Sequence, residues 1–288
     1  VNPPIYDFAA YDVWLKPLGL LYLSNILKSY NVEVKLLDCL DRNYFPHLPP
    51  KPDGRGKFPA EPVEKPDVLK NIPMLYKRYG ISRKIIENFL KEHNDTDFVI
   101  ISCCMTYWYL GVQEIIEFVR CYIPNAKIIL GGVYPTLTPK HAIGTYGKLV
   151  DKIFTGTSIV PLLTYLGLTP TEKYIHFIGF PPPDYSEYQH VYYIVTRFSY
   201  GCHYNCSYCA SKLLYPTYSS KSILNFIIEI HYLHSSTQCK NFVFYDDELL
   251  TNHDSIKDIF THLLNSGLKL SFHTPNGINP RFITKDIA

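Results

Sequence analysis

Three cysteines crowd one short segment in the second half of the sequence, with the spacing Cys202-x-x-x-Cys206-x-x-Cys209. Three thiolates on one loop can bind three irons of a [4Fe-4S] cubane and leave the fourth iron without a protein ligand. A small molecule can then chelate the open iron, which is what a substrate-binding cluster requires. The spacing therefore predicts a metal site with Cys202, Cys206 and Cys209 as its ligands.

Structural zinc is the alternative occupant of the same cysteines. Such sites usually take four Cys or His ligands from paired, closely spaced motifs. His203 directly follows Cys202, which is awkward for a closed tetrahedron, and Cys239 has no Cys-x-x-Cys partner. The ferredoxin pattern, with a fourth Cys followed by Pro, is absent. The spacing favours the cluster, while zinc or a group of inert thiols stays an open alternative.

The elements around the cysteine segment predict part of a barrel. Apolar runs predict strands at 191–198, 242–245 and 268–272, alternating with helices at 222–234 and 255–264. A full barrel of eight strand–helix units takes about 250 residues. Residues 191–288 therefore correspond to the first half of a (β/α) barrel, and we expect the chain to be truncated.

The first 167 residues predict a separate α/β domain. Continuous apolar strands alternate there with helices, which indicates a parallel sheet covered on both faces, a Rossmann-like doubly wound fold. Strands are predicted at 32–37, 98–101, 128–130 and 149–154, and helices at 17–30, 81–93, 110–122, 139–146 and 159–166. Residues 39–80 are rich in Pro, Gly and charge and predict an irregular insertion. Residues 168–190 lose all periodicity and predict a linker.

The cysteine segment resembles the signature of the radical SAM superfamily, C-x3-C-x2-C with an aromatic residue before the third Cys, here Tyr208. The resemblance implies that the cluster binds S-adenosylmethionine and cleaves it reductively to a 5′-deoxyadenosyl radical. It places Tyr208 near the adenine, and Asp246 and Asp247 near the amino group, with Asn276 as a further lining residue. Carboxylates at the end of a barrel strand can accept hydrogen bonds from an ammonium. Alternatively, Asp246 or Asp247 caps the following helix.

The first domain resembles the cobalamin-binding domain that precedes the barrel in one radical SAM class. The resemblance places Ser102, Gly131 and Gly132 near the nucleotide tail of cobalamin, and glycines permit such an approach because they have no side chain. An ordinary turn after a strand is the alternative for the two glycines. The D-x-H-x-x-G motif, whose His ligates cobalt, is absent, and the segment 38–42 reads Asp-Cys-Leu-Asp-Arg instead. Cobalamin, if bound, would then lack a histidine ligand.

The resemblance implies a radical SAM enzyme, and a cobalamin-dependent methyltransferase if cobalamin binds. A radical SAM oxidoreductase or transferase without cobalamin, and a non-catalytic metal-binding module, are the alternatives. The expected partners are a small-molecule substrate and an electron donor such as flavodoxin or ferredoxin.

Composition excludes several other classes. The net charge of +2, with interspersed signs, predicts no binding to nucleic acid. No run approaches the roughly 20 apolar residues of a membrane-spanning helix. Eight cysteines, three of them in one segment, do not form a disulfide pattern. These features predict a cytoplasmic protein.

Overall fold

The computed structural model describes residues 1–285 and 287, which form two compact units. The first unit contains Val1–Leu20, Glu33–Lys51 and Arg55–Thr157, and the second contains the rest of the described chain. The predicted linker at 168–190 and most of the first predicted helix therefore belong to the second unit.

The first unit contains one parallel sheet, two small antiparallel sheets and their helices. In chain order its elements are β1 (Ile5–Asp7), β2 (Tyr11–Asp12), α1 (Leu18–Lys28, continuing into the second unit), β3 (Gly56–Lys57), β4 (Ala60–Pro62), β5 (Lys77–Tyr79), α2 (Arg83–Glu92), β6 (Phe98–Ser102), α3 (Tyr109–Tyr122), β7 (Lys127–Gly131), α4 (Val133–Leu137), α5 (Pro139–Tyr146) and β8 (Lys152–Ile153).

The parallel sheet is built from β6, β7 and β8, in that order. Residues 1–2 extend it, because the N–H of Ser102 donates to the carbonyl of Val1 and the N–H of Asn2 donates to that of Leu37. Residues 1–2 are counted as the first segment, residues 37–39 as the second, and β6, β7 and β8 as the third to fifth strands. The spatial order is then 2-1-3-4-5. This is one of the two common orders of doubly wound folds, in which ligands bind where the order reverses, between the first and third strands.

The predicted strand at 32–37 is wrong. Residues 32–37 have no regular structure, and the one parallel bridge, between Asn2 and Asp38, lies just after them. The segment lies beside the edge of the sheet. Its alternating apolar residues predict a strand, but the hydrogen bonds of a strand also require a neighbouring strand. The strand predicted at 149–154 is likewise reduced to Lys152–Ile153.

The insertion at 39–80 is irregular over most of its length, as its composition predicts, but it also contains three short strands. Its strand β5 lies between β1 and β4 in an antiparallel sheet, and β3 pairs with β2. Arg78 of β5 is buried and its Nη2 donates to Glu114 of α3 at 2.6 Å, with Nε 2.8 Å from the second carboxylate oxygen. This buried ion pair fixes the insertion to α3, because either charge would be costly to bury alone.

The second unit contains a second parallel sheet. After α6 (Val160–Tyr165) its elements are β9 (Ile194–Thr196), β10 (Ser199–Tyr200), α7 (Ser211–Leu214), β11 (Ser219–Ser220), α8 (Ile223–Thr237), β12 (Asn241–Phe244), α9 (His253–Asn265) and β13 (Ser271–His273). The order β9-β12-β13 follows the chain, and all pairings within it are parallel. The α/β class with parallel sheets is confirmed.

The two faces of this sheet are identified by its partners. Thr196 donates to the carboxylate of Glu229 on α8, and Phe244 packs against Phe226 of α8 at 5.6 Å between ring centroids. Side chains alternate along a strand. Thr196 and Phe244 therefore face α8. The residues next to them, including Arg197 and Tyr245, point to the opposite face of the sheet.

Part of the segment predicted as the linker, at residues 182–184, packs on α1. Asp184 accepts hydrogen bonds from Ser24 at 2.6 Å and forms an ion pair with Lys28 at 2.7 Å, and the Asn25 amide donates to the carbonyl of Pro182. These contacts explain why the segment belongs to the second unit.

Candidate cluster and cofactor sites

The cysteine loop follows the two-residue strand β10, beyond the carboxyl end of β9 in the second sheet. Gly201, just before Cys202, has a φ of +78°, and a Cβ there would lie 2.7 Å from the carbonyl oxygen of Thr217. Only glycine satisfies both conditions without strain. Residue 201 therefore fixes the direction in which the loop leaves the strand.

The three cysteines are free thiols on the surface of this loop. Cys206 and Cys209 are exposed and Cys202 is half-buried. Sγ of Cys202 accepts the N–H of Tyr204, and Sγ of Cys209 accepts that of Ser211, both at 3.4 Å. Backbone hydrogen bonds of this kind tune thiolates that ligate a cluster. The donor set therefore fits an iron–sulfur cluster chemically.

The three cysteine sulfurs do not form a metal-binding arrangement in this structure. Within residues 1–285 and 287, no three His, Cys, Asp or Glu side chains are placed to hold a metal ion. The assignment of Cys202, Cys206 and Cys209 as ligands thus stays a prediction. The structure supports this prediction by placing all three cysteines on one short, open loop.

Asp246 supports the loop from the end of β12. Its carboxylate is buried and accepts the N–H groups of Phe198 and Ser199, at 3.1 and 2.6 Å, and the Ser199 hydroxyl at 2.6 Å. Burial raises the pKa of Asp246, against the effect of the Ser199 hydrogen bonds. These hydrogen bonds hold the segment between β9 and the cysteine loop in position. The contact of Asp246 with S-adenosylmethionine stays a prediction.

Asp247 is the more accessible of the two carboxylates. One of its oxygens accepts the N–H of Gly201 at 3.0 Å, and the same oxygen lies 4.0 Å from Nη1 of Arg197. About a fifth of the side chain is exposed, 19%, against 2% for Asp246 as a whole residue. Of the pair, Asp247 is therefore the one that a ligand can reach.

Glu248, and neither aspartate, is the cap. Its carboxylate accepts the N–H of Leu250 in the turn that opens the next helical segment, and also the N–H of Asn279 at 3.1 Å. The alternative that Asp246 or Asp247 caps this turn is thus wrong, because both carboxylates accept hydrogen bonds from the segment that leads from β9 to the cysteine loop. The sequence signal for Glu248 was its place in the Asp-Asp-Glu run.

Asn276 and Tyr208 occupy different positions at this end of the sheet. The Asn276 amide donates to the carbonyls of Tyr245 and Asp246, at 3.2 and 3.0 Å, which ties the end of β13 to the end of β12. Tyr208 is 90% exposed on the cysteine loop. The structure brings Asn276, Asp246 and Asp247 together, whereas the adenine contact of Tyr208 stays a prediction.

In the first unit, a pocket lies at the point where the strand order reverses. It holds about 210 Å³, including its open mouth, and is lined by Asn2, Pro3, Pro4, Leu40, Cys103, Cys104 and Trp108. Most of this volume is open to solvent, so the pocket is a shallow depression that does not by itself enclose a cofactor.

Ser102, Gly131 and Gly132 meet beside this point. Ser102 pairs with Gly131 across β6 and β7. Gly132 has a φ of +96°, and a Cβ there would lie 2.7 Å from Oγ of Ser102. Gly131 has no atom within 4 Å of such a position, so its surface is open to a ligand. The two glycines thus have different roles: Gly132 is needed by the backbone, and Gly131 leaves room.

The residue in the place of the cobalt-ligating His is Leu40. It is 3% exposed and lines the pocket, and none of the pocket residues in the described chain is a histidine. Asp38, which precedes it by two residues, accepts hydrogen bonds from Asn2 and from the N–H of Leu40. Among the described residues, this pocket therefore offers no imidazole ligand.

Comparison with solved structures identifies the fold. The radical S-adenosylmethionine methyltransferase TsrM of Kitasatospora setae, solved with tryptophan and a SAM analogue, superposes with a TM-score of 0.59 over 98% of this chain and 55% of that chain, at 14% identity. This chain has the TsrM fold. A TsrM structure with cobalamin and a [4Fe-4S] cluster bound superposes with a TM-score of 0.57 over 92% of this chain and 51% of that chain, at 15% identity. The resemblance inferred from sequence is confirmed at the level of the fold.

Two methyltransferases are related in sequence. Cytidylyl-2-hydroxyethylphosphonate methyltransferase of Streptomyces wedmorensis is 26% identical over 52% of this chain and 24% of its own length. An uncharacterized methyltransferase of Pyrococcus horikoshii is 23% identical over 91% of this chain and 55% of its own length. The chain thus spans a quarter to about half of these relatives. No family model matches the sequence.

The structure also bears on membrane association. Over the described residues, no helix combines the length and the apolar character that crossing a bilayer requires.

Proposed function

We propose that this chain forms the cofactor-binding part of a radical SAM methyltransferase. The observation that carries the proposal is the cysteine loop at the carboxyl end of β9, fastened by Asp246 and Asp247 at the end of the neighbouring strand. Active sites of strand–helix barrels are built at this end of the strands. The TsrM fold and the two related methyltransferases support the same class.

Cys202, Cys206 and Cys209 would hold the [4Fe-4S] cluster, and Asp247 would bind the ammonium of S-adenosylmethionine. When bound, the cluster supplies one electron for breaking a carbon–sulfur bond of S-adenosylmethionine, and cobalamin supplies a methyl carrier. The protein would then position and bury these groups. A one-electron donor such as flavodoxin or ferredoxin is proposed as partner, because none of the protein's own side chains supplies low-potential electrons.

Cobalamin would bind at the switch point of the first unit, over the open surface of Gly131. The support is the strand order, the pocket beside Asn2 and Leu40, and the absence of a Cβ clash at Gly131. A radical SAM oxidoreductase or transferase without cobalamin is the competing proposal, and a non-catalytic metal-binding module is the third.

Anaerobic reconstitution of the chain with iron and sulfide tests these proposals together. We expect about four irons and four sulfides per chain, and retention of added cobalamin through gel filtration. With a chemical reductant and S-adenosylmethionine, we expect 5′-deoxyadenosine, from reductive cleavage, or S-adenosylhomocysteine, from methyl transfer. A cluster without cobalamin, together with 5′-deoxyadenosine alone, supports the oxidoreductase or transferase. Bound zinc, with no product formed from S-adenosylmethionine, would contradict both enzyme proposals and support the metal-binding module.

A further inference from the structure

Helix α8 packs on one face of the second sheet and carries no charge on its outer side. Its one carboxylate, Glu229, is buried and forms an ion pair with Lys221 at 2.5 Å. The exposed residues of the helix are all apolar or neutral, namely Leu224, Asn225, Ile228, Tyr232, Ser235 and Ser236. The neighbouring helix α9 has the usual charged surface, because Lys257 and Asp258 are exposed on it.

Three large apolar side chains form a stripe along this outer side. Leu224, Ile228 and Tyr232 are 65%, 56% and 53% exposed, and each lies four residues from the next. Residues at this spacing are neighbours on one side of an α-helix. A single exposed apolar residue is ordinary. A helix that is apolar on its inner and its outer side is typical of one that is covered on both, so the stripe indicates a contact surface.

The stripe is complementary to itself, which favours a second copy of this chain as the partner. A two-fold axis through Ile228 would pair two α8 helices antiparallel, with the two Ile228 side chains in contact. Because the spacing is symmetric about Ile228, Leu224 of each copy would then lie beside Tyr232 of the other. A two-fold interface brings the same residues of both copies together, so it requires a patch that does not repel itself. The absence of charge on this side of α8 meets that requirement, and it offers nothing to a partner that docks through charge.

We propose that the outer side of α8 is the contact surface of a homodimer, with the two helices antiparallel and Ile228 at the two-fold axis. The helix has 15 residues and is therefore about 22 Å long. Three large side chains and their neutral neighbours form a contact smaller than the roughly 800 Å² per partner of a standard interface. The dimer should accordingly dissociate in the micromolar range. This inference concerns assembly, and it does not depend on the proposed function.

Sedimentation equilibrium of the full chain tests the proposal. The chain is measured under reducing conditions, so that disulfides between surface cysteines cannot form, at about 1 to 200 μM, which brackets a micromolar dissociation constant. The wild type should associate reversibly to a dimer. Ile228→Asp should raise the dissociation constant about 100-fold or more, because each dimer then carries two like charges at its centre. Leu264→Asp is the matched control, since Leu264 is a 78% exposed leucine of α9 outside the stripe, and it should change nothing.

A pair of charges tests the orientation of the helices. Leu224→Lys alone should weaken the dimer, and adding Tyr232→Glu should restore it, because each new lysine meets the new glutamate of the other copy. A parallel pairing would instead bring like charges together and make the double variant the weakest. Far-ultraviolet circular dichroism checks that each variant is folded. A wild type that is monomeric over the whole range, a dimer that Ile228→Asp leaves intact, or a double variant that stays as weak as Leu224→Lys would each overturn the proposal.

Discussion

Asp246 and Ser199 are joined by two hydrogen bonds, since one carboxylate oxygen accepts both the N–H and the hydroxyl of Ser199 at 2.6 Å. Asp246 follows β12 and Ser199 follows β9, so these bonds connect the ends of neighbouring strands below the cysteine loop. Removing the carboxylate leaves buried donors without an acceptor, at about 1–3 kcal/mol each. Asp246 thus joins the end of β12 to the segment that leads into the cysteine loop.

Asp246→Ala is therefore expected to lower the free energy of unfolding by about 3 kcal/mol. Ser199→Ala, which removes the hydroxyl alone, should cost about 1 kcal/mol. Chemical denaturation followed by near-ultraviolet circular dichroism measures both. Asp247→Asn is the matched control and should cost less than Asp246→Ala, because Asp247 is more exposed and accepts fewer hydrogen bonds. A larger loss in Asp247→Asn would contradict the supporting role of Asp246.

The cluster ligands are tested one thiol at a time. Cys202→Ala, Cys206→Ala and Cys209→Ala should each abolish the brown chromophore of anaerobically reconstituted protein, because each thiolate is proposed to ligate one iron. Cys239→Ala is the control, since Cys239 is 6% exposed and its thiol lies 3.7 Å from the carbonyl of Asn241. Iron and sulfide content and the absorption spectrum are measured. Loss of the chromophore in Cys239→Ala but not in Cys206→Ala would show that the ligand assignment is wrong.

The sequence predicted the parallel sheets and the cysteine loop because both depend on local signals. Apolar runs such as 98–101 and 242–245 are recognisable without knowledge of their partners, and the sheet then brings Asp246 and Asp247 to the loop. The pairing of β5 with β1 was missed because it joins residues about 70 positions apart and each strand has only three residues. Short strands carry too little alternation to be recognised.

The details of the site depended on contacts that the sequence does not contain. Whether a carboxylate caps a turn or supports a loop is decided by the direction of its side chain, and Asp246 and Glu248 point to different partners. Arg197 stands alone as a charge at the end of an apolar strand. That its buried Nε and Nη1 have no hydrogen-bond partner in the described part of the chain is visible only once Tyr200 and Tyr215 are placed around it.

The stability of the second unit should depend on pH through Asp184. Burial alone would raise the pKa of Asp184, but hydrogen bonds from Lys28, Ser24 and Ser186 outweigh it and lower the pKa to about 2. In the unfolded chain the pKa is about 3.9. Because the folded value is depressed, this stabilisation is fully present above about pH 4. It is lost as the pH falls through about 2.

Asp184→Asn should accordingly reduce stability at pH 7 by about 1 kcal/mol and have little effect at pH 2. Thermal unfolding across this range, compared between variant and wild type, measures the difference. Glu187→Gln removes a more exposed partner of Lys28, at 3.4 Å, and should change stability less. A loss in Asp184→Asn that is the same at pH 2 and pH 7 would exclude the ion pair as its cause.

Any cobalamin bound by this chain should lack a histidine ligand from the protein. Leu40 stands in the ligand position and lines the pocket, and a leucine cannot coordinate cobalt. Electron paramagnetic resonance of the cobalt(II) form, with and without nitrogen-15 histidine labelling, measures the axial ligand. The spectra of labelled and unlabelled protein should be identical. A change in hyperfine splitting on labelling would show an axial imidazole and contradict the prediction.

The two glycines at the end of β7 separate cofactor binding from folding. Gly132→Ala should destabilise the first unit by more than 1 kcal/mol, because φ is +96° and the added Cβ would lie 2.7 Å from Oγ of Ser102. Gly131→Ala should leave stability nearly unchanged, since the added Cβ meets no atom within 4 Å.

If cobalamin approaches this backbone, Gly131→Ala should nevertheless weaken its retention about tenfold or more, because the methyl group occupies the approach surface. Cobalamin retention by gel filtration and thermal unfolding, measured on the same preparations, distinguish the two effects. Full retention by a stable Gly131→Ala variant would place the cofactor away from this turn.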